Sequence, residues 1–211
     1  LMRAEDIYRL EFHEIRFDLR SLGAVLRIGL PAGLESVMYN IANLTIQIFV
    51  NELGTDTVAA WGTMGKIDAV FWMVCNAFAI SITTFVGQNL GADNMKRARK
   101  GTTVALFISI ATALILMAPV IIFAPFLASL FTNDPDVLSY GVHFIRLMMP
   151  FYLAISFNQI FANALRGAGN SVTPMVIMMG SFIVFRQIYL YFISKYFNNI
   201  TATALGYPLG W

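Results

Sequence analysis

The sequence has 211 residues, of which 58% are apolar and 12% are charged, and its mean hydropathy is +0.68. A soluble domain carries about 25% charged residues, so the composition excludes an ordinary soluble protein and predicts an integral membrane protein. Several apolar stretches reach the ~20 residues that a helix needs to cross a bilayer. The ~10-residue alternating segments of a membrane β-barrel do not occur. We therefore expect an all-α, polytopic transmembrane helix bundle.

The N-terminal segment, residues 1–21, mixes charged and apolar side chains and is rich in arginine. Its apolar residues recur at roughly helical spacing, which is compatible with an interfacial helix, but its composition fits a solvated linker equally well. The positive-inside rule assigns the segment to the cytoplasm in either case.

Five complete spans and the start of a sixth are predicted from the apolar stretches. They cover about residues 22–50, 58–85, 102–123, 137–165 and 172–197, and the sixth begins at about 202. Pro31 and Pro150 predict kinks in the first and fourth spans, because proline removes a backbone hydrogen bond. The third span carries no charge, so we expect it to face lipid over much of its surface.

Two polar breaks fix the predicted topology. The first, residues 86–101, carries four cations that cannot lie in hydrocarbon: Lys96, Arg97, Arg99 and Lys100. Glycine and asparagine permit a sharp reversal, so we expect a tight cytoplasmic loop here, with these members: Gly87, Gln88, Asn89 and Gly91. The second cytoplasmic break, residues 166–171, and the start of the fifth span contribute Arg166, Gly167, Gly169 and Pro174. The positive-inside rule assigns both breaks to the cytoplasm.

The ionisable residues that remain within the membrane are Glu35, Lys66, Asp68, His143, Arg146 and Arg186. A central Asp, Lys or Arg costs about 2.5–3.5 kcal/mol there. The charges of Glu35, Lys66, Asp68 and Arg186 sum to zero, so an internal paired cluster is expected, while His143 and Arg146 lie near the outer third of the fourth span and can snorkel to the interface. Each carboxylate has two open interpretations: a proton- or cation-binding group of a transport cycle, or a permanent ion pair between helices. Asn40 and Asn43 make one side of the first span polar and join the list of transport candidates.

No enzyme motif is present: the sequence lacks HExxH, GxxxxGK[ST] and GxSxG. We therefore expect a protein that is not an enzyme and that has no cofactor and no metal centre. The basic loop is short and lacks interleaved aromatic residues, so nucleic acid is not an expected partner.

Three motifs together resemble the multidrug and toxic compound extrusion (MATE) family. They are IGLPAGLESVMYNIANLTIQ at 28–47, TTFVGQNLGADNMKRARKG at 83–101 and ALRGAGNSVTPM at 164–175, and the terminal ALGYPLGW is similar to the entry of the family's last helix. The resemblance covers nearly the whole chain from about Leu22. It implies the second, C-terminal lobe of a transporter with two six-helix lobes, with the last helix cut and the first lobe as a missing partner.

The resemblance also implies a function. Such a protein is a multi-pass antiporter of the cell (inner) membrane that exports small organic cations, with protons or sodium as the coupling ion. A flippase for lipid-linked or amphipathic metabolites and a non-transporting membrane scaffold are the alternatives.

The family's ion-binding pattern is matched only in part. Some branches place an essential glutamate about two turns after the first proline, where this sequence has Met38 and Tyr39, while Glu35 lies one turn earlier. The same branches use an aspartate on the fourth helix, where the nearest polar residues here are Asn158 and Gln159. We therefore select Glu35, Asp68 and Arg186 as ion-coupling candidates on physical grounds.

Overall fold

Three long helices come first in the described part of the chain. The computed structural model describes residues 18–196 and 200–211, and this part consists of helices and short turns without any strand. α1 spans Leu19–Asn51, α2 spans Thr55–Gly91 and α3 spans Met95–Ile122. α1 and α3 each continue past an internal proline.

The start of α1 lies within the segment predicted as a linker. Asp18 accepts hydrogen bonds from the backbone N–H groups of Arg20 and Ser21, which otherwise lack helical partners. The Ser21 hydroxyl also donates to this carboxylate, and these bonds hold the pKa of Asp18 below its usual range. The possible interfacial helix before Asp18 lies outside the described residues.

The fourth span is divided at Pro150, as predicted. After the short α4 (Ala124–Ser129), α5 covers Pro135–Met148, a 3₁₀ turn covers Met149–Phe151, and α6 covers Tyr152–Gly167. Pro150 lies in this 3₁₀ turn, where it cannot donate the backbone hydrogen bond of a regular α-helical turn.

The fifth span contains a π-helical turn. α7 covers Val172–Met179, the π turn covers Gly180–Phe185, and α8 covers Arg186–Tyr196. A short α9 (Ile200–Leu205) and a 3₁₀ turn (Pro208–Gly210) follow. The wider π turn changes the rotational register of α8, which sets the direction of Arg186.

The membrane assignment rests on length and apolarity. Four stretches are long and apolar enough to cross a bilayer: Thr55–Gly91, Met95–Ile122, Pro135–Gly167 and Val172–Ile193. α1 has 33 residues and sufficient length, but its polar side chains exclude it from this group. The expected all-α membrane bundle is therefore confirmed.

α2 is the central helix and packs against α1, α3, α5 and α6. Its core residues Met64 and Phe71 lie among Phe144, Met148 and Tyr152 of the divided fourth span. α3 lies at the periphery, with only 11% of its most apolar stretch buried in the bundle. This position agrees with the expected lipid-facing third span.

The predicted loop at Gly87, Gln88, Asn89 and Gly91 is wrong, because all four residues belong to α2. The reversal comes later, at Ala92–Asn94, where Asp93 takes the left-handed conformation with φ 54°. The Asn94 N–H donates to the Asn89 carbonyl over 2.8 Å, which closes the end of the helix. Gly87 stays helical and lies beside α6, where a Cβ added to it would be 3.4 Å from the Gly167 carbonyl oxygen.

The second cytoplasmic break repeats this geometry. Arg166 and Gly167 end α6, and Pro174 lies within α7, so of the predicted loop residues only Gly169 lies in the turn, with φ 82°. The Asn170 N–H donates to the Leu165 carbonyl over 2.9 Å, as Asn94 does to Asn89. The sequences Gly-Ala-Asp-Asn at 91–94 and Gly-Ala-Gly-Asn at 167–170 therefore build the same turn.

In each turn the asparagine side chain also binds the first turn of the next helix. The Asn94 side-chain oxygen accepts from the Arg97 N–H over 3.1 Å, and that of Asn170 accepts from the Thr173 N–H over the same distance. One residue thus ends one helix and binds the first turn of the next, which makes both reversals short.

Candidate ion-coupling site

A buried carboxylate lies at the contact of three elements. Asp68 of α2 is 6% exposed, and its Oδ2 accepts a hydrogen bond from the Tyr207 hydroxyl over 3.0 Å. That hydroxyl lies 3.4 Å from the Tyr39 hydroxyl of α1. The second carboxylate oxygen, Asp68 Oδ1, and the neighbouring Trp72 indole Nε1 are both buried without a hydrogen-bond partner that meets the distance and angle criteria within the described residues. Asp68 Oδ1 is therefore available to take up a proton or to bind a cation.

Arg186 forms the second part of the site. Its side chain is fully buried, and it donates to Asn43 Oδ1 over 3.1 Å and to the Tyr207 backbone carbonyl. The guanidinium lies over the Phe182 ring, 4.3 Å from the centroid. Its contacts join α1, the π turn and the end of the chain, where a Cβ at Gly210 would lie 2.7 Å from Arg186 Nε.

Tyr207 lies between the two charges. Its hydroxyl binds Asp68 and its carbonyl binds Arg186, while no direct ion pair joins the charges in the part of the chain that the structure describes. The carboxylate therefore stays without a cationic partner here, although a buried arginine is close in the fold.

Glu35 takes a different partner from those expected. Both of its carboxylate oxygens lie 2.6 Å from Arg166 Nη2, and Arg166 Nη1 donates to Asn163 Oδ1 over 2.9 Å. The side chains of Glu35 and Arg166 are 12% and 17% exposed. The backbone carbonyl of Asn163 also accepts a hydrogen bond from the Thr83 hydroxyl. This ion pair links the middle of α1 to the C-terminal end of α6 and supports the interpretation of Glu35 as a pairing charge.

The expected internal cluster of four charges is wrong. Glu35 pairs with Arg166, and Lys66 is exposed with its Nζ 4.7 Å from the centroid of the Phe131 ring. The positions of these side chains depend on helix rotation, which net charge does not report. Asn40 is also outside the site, because it is exposed and donates to the Ser36 carbonyl of its own helix.

Sequence reasoning missed Tyr39 and Tyr207 as site residues. Tyr39 occupies the region in which the family resemblance placed a glutamate, and its hydroxyl lies near the end of the chain rather than near Glu35. The signal available in the sequence is a tyrosine within an apolar stretch, because a buried phenol hydroxyl needs a hydrogen-bond partner. Tyr207 and Asp68 are 139 positions apart in the sequence, so no local motif predicts the hydrogen bond between them.

The curated relatives bear the names of a transporter and of multidrug resistance proteins. The chain is 28% identical over 182 residues to an FAD transporter of Shewanella oneidensis, covering 86% of the chain and 40% of the relative. It is 23% identical over 178 residues to the probable multidrug resistance protein NorM of Thermotoga maritima, covering 82% and 38%. The chain thus spans about two fifths of the length of these relatives.

Solved structures share the fold. A multidrug resistance MATE family transporter of the MOP superfamily, in an outward-facing conformation, superimposes with a TM-score of 0.86 over 96% of the chain and 46% of that structure, at 19% identity. A MOP superfamily transporter from Pyrococcus furiosus gives 0.85 over the same shares.

The chain therefore shares the helical fold of these solved structures. The model of the MatE family matches residues 31–192, which is more than half of the chain, and the chain belongs to that family.

Proposed function

We propose that this chain forms one transport lobe of a secondary antiporter that exports cationic, partly apolar compounds in exchange for protons or sodium. The observation that carries the proposal is the buried carboxylate of Asp68, with one oxygen unpartnered within the described residues and no cation beside it. A charge in a membrane span is costly, and such groups usually serve ion pathways or pair with other charges.

The proposed cycle uses this carboxylate as the coupling group. When Asp68 is ionised, its negative charge favours a cationic substrate, and binding of the coupling ion removes that attraction. The two lobes, this one and a first lobe as its partner, rock to expose the cavity alternately to each side of the membrane. Tyr207 and Tyr39 connect Asp68 to α1 and to the C-terminal turn, so a change at the carboxylate reaches three elements.

A proton is the coupling ion that the site supports best. The hydrogen-bond donor to its carboxylate is the Tyr207 hydroxyl, and a proton needs only one acceptor oxygen. Within the described ranges, no group of three or more His, Cys, Asp and Glu side chains converges to hold a metal ion. A sodium ion would need further oxygen ligands from water, substrate or the other lobe.

Transport in proteoliposomes tests the proposal. The natural full-length protein is reconstituted, and efflux of a fluorescent organic cation is followed under a proton gradient or a sodium gradient imposed separately. Efflux under the proton gradient supports the proposal with the proton as coupling ion. Efflux under the sodium gradient alone would identify sodium as the coupling ion instead. Absence of efflux under both, from protein shown to be folded, contradicts antiport and favours the scaffold alternative.

Export of a flavin nucleotide is a second candidate function, favoured by the similarity to the FAD transporter. Such a substrate is large and anionic, as would be that of a flippase for amphipathic metabolites. The same vesicles loaded with FAD distinguish the two, because its fluorescence reports release directly. Release of FAD without release of the organic cation would show that the substrate is a flavin nucleotide and not an organic cation.

A further inference from the structure

A groove at the cytoplasmic end of α2 and α3 lies apart from the candidate ion-coupling site. It has a volume of about 540 Å³, and its apolar floor includes Phe78, Ile82 and Ile108. Gly101 shapes it, because a Cβ there would lie 2.0 Å from Cε1 of Phe85. The missing side chain lets the Phe85 ring lie directly against the backbone of α3.

The groove continues into the lipid-facing surface. Its lining residues Val104 and Ile108 are 47% and 51% exposed, and their neighbour Phe107 is 68% exposed. All three belong to α3, the least buried of the apolar spans. In a bilayer an acyl chain can therefore enter the groove sideways without crossing a polar barrier.

The mouth of the groove is cationic. Arg97 and Lys100 line it, both are exposed, and the Arg97 guanidinium lies 6.0 Å from the centroid of the Phe85 ring. Neither forms an ion pair within residues 18–196 and 200–211. The single carboxylate in the predicted cytoplasmic stretch 86–101 is Asp93. Two exposed cations above an apolar floor match an anionic headgroup that carries an acyl chain.

We propose that this groove binds an anionic phospholipid of the cytoplasmic leaflet. Its phosphate lies between Arg97 and Lys100, and one acyl chain lies along the floor formed by α2 and α3. The bound lipid stabilises the first turn of α3, where four cations oppose the positive end of the helix dipole. This inference is independent of the substrate and coupling ion proposed above.

A pair of charge variants tests the proposal on the full-length protein. R97Q/K100Q removes the cations that line the groove, and K96Q/R99Q removes two neighbouring cations that do not line it. Native mass spectrometry in micelles containing phosphatidylglycerol or phosphatidylcholine measures lipid retention. We expect phosphatidylglycerol binding to fall at least tenfold in R97Q/K100Q and less than twofold in K96Q/R99Q, with weak phosphatidylcholine binding throughout.

A second pair tests the apolar floor without changing charge. Val104→Trp fills the groove, and Phe107→Trp makes a similar change on the adjacent lipid-facing surface. Only Val104→Trp is expected to lose phosphatidylglycerol. If R97Q/K100Q does not fold, this variant tests on its own whether the lipid binds in the groove. Equal losses from both members of either pair would overturn the proposal. Displacement of the lipid by millimolar glycerol 3-phosphate would also overturn it, since the groove would then recognise a free phosphate group.

Discussion

Tyr207 donates its hydroxyl hydrogen to Asp68 Oδ2 over 3.0 Å and so connects the last described turn to the central helix. Its backbone carbonyl accepts from Arg186, whose guanidinium also binds Asn43. One aromatic residue thus satisfies a buried anion through its side chain and a buried cation through its backbone. Changes at Tyr207 are therefore expected to affect both halves of the site.

Tyr207→Phe removes the hydrogen bond to Asp68 and keeps the ring. A buried acceptor left without its partner costs about 1–3 kcal/mol, so the free energy of unfolding should fall by that amount. Tyr140→Phe is the control, because Tyr140 is exposed on α5. Equilibrium denaturation in mixed micelles measures both, and equal stabilities of the two variants would contradict the role of the hydroxyl.

The Glu35–Arg166 pair should behave as a coupled unit. Glu35→Gln or Arg166→Gln alone leaves a largely buried charge uncompensated, which costs about 3–5 kcal/mol. The double variant leaves no such charge and should lose clearly less than the sum of the single losses. A double-mutant cycle on the free energy of unfolding measures this coupling. Additive losses would show that the two side chains do not interact.

Gly167 allows α6 to approach α2. A Cβ at this position would lie 2.5 Å from the Thr83 carbonyl oxygen and 3.1 Å from Val86 Cβ. Gly167→Ala should therefore cost about 1–3 kcal/mol of stability through overpacking. Gly91→Ala, at a helical glycine with no atom near its added Cβ, should change stability by less than about 1 kcal/mol. A stable Gly167→Ala variant would contradict the close packing.

Because the two turns are equivalent, removing glycine from one and introducing it into the other should have opposite effects on stability. Gly169→Ala places a Cβ in the left-handed region at φ 82° and should cost about 1–2 kcal/mol. Asp93→Gly removes a side chain from the same region and should leave stability unchanged or raised. Thermal unfolding of both variants checks the pair, and a loss from Asp93→Gly as large as that from Gly169→Ala would argue against equivalent turns.

Much of the fold could be predicted from the sequence, because apolar length and proline positions report spans directly. The helix break at Pro150 is an example, and the peripheral α3 is another. Glycine and asparagine predict a loop at 87–91, but α2 continues through Gly91. The left-handed residue of the turn is Asp93, and Gly87 is helical.

The site was less predictable than the fold. Asp68, Asn43 and Arg186 were recognised from the cost of polar groups in a membrane, but their partners depend on helix rotation and depth. The π turn before Arg186 alters that rotation, and no residue pattern announced it. Glu35 was ranked with Asp68 because both are acids, while only the structure shows that Arg166 compensates Glu35.

The most direct test of the central claim compares Asp68→Asn with Asp56→Asn in proteoliposomes. Asp56 is an exposed aspartate on the same helix, so the chemical change is matched. We predict that Asp68→Asn loses transport driven by the ion gradient at least tenfold and binds the cationic substrate more weakly, because its side chain stays neutral as in the ion-bound state, while Asp56→Asn transports normally. Full gradient-driven transport by folded Asp68→Asn would contradict the assignment of this carboxylate as the coupling group.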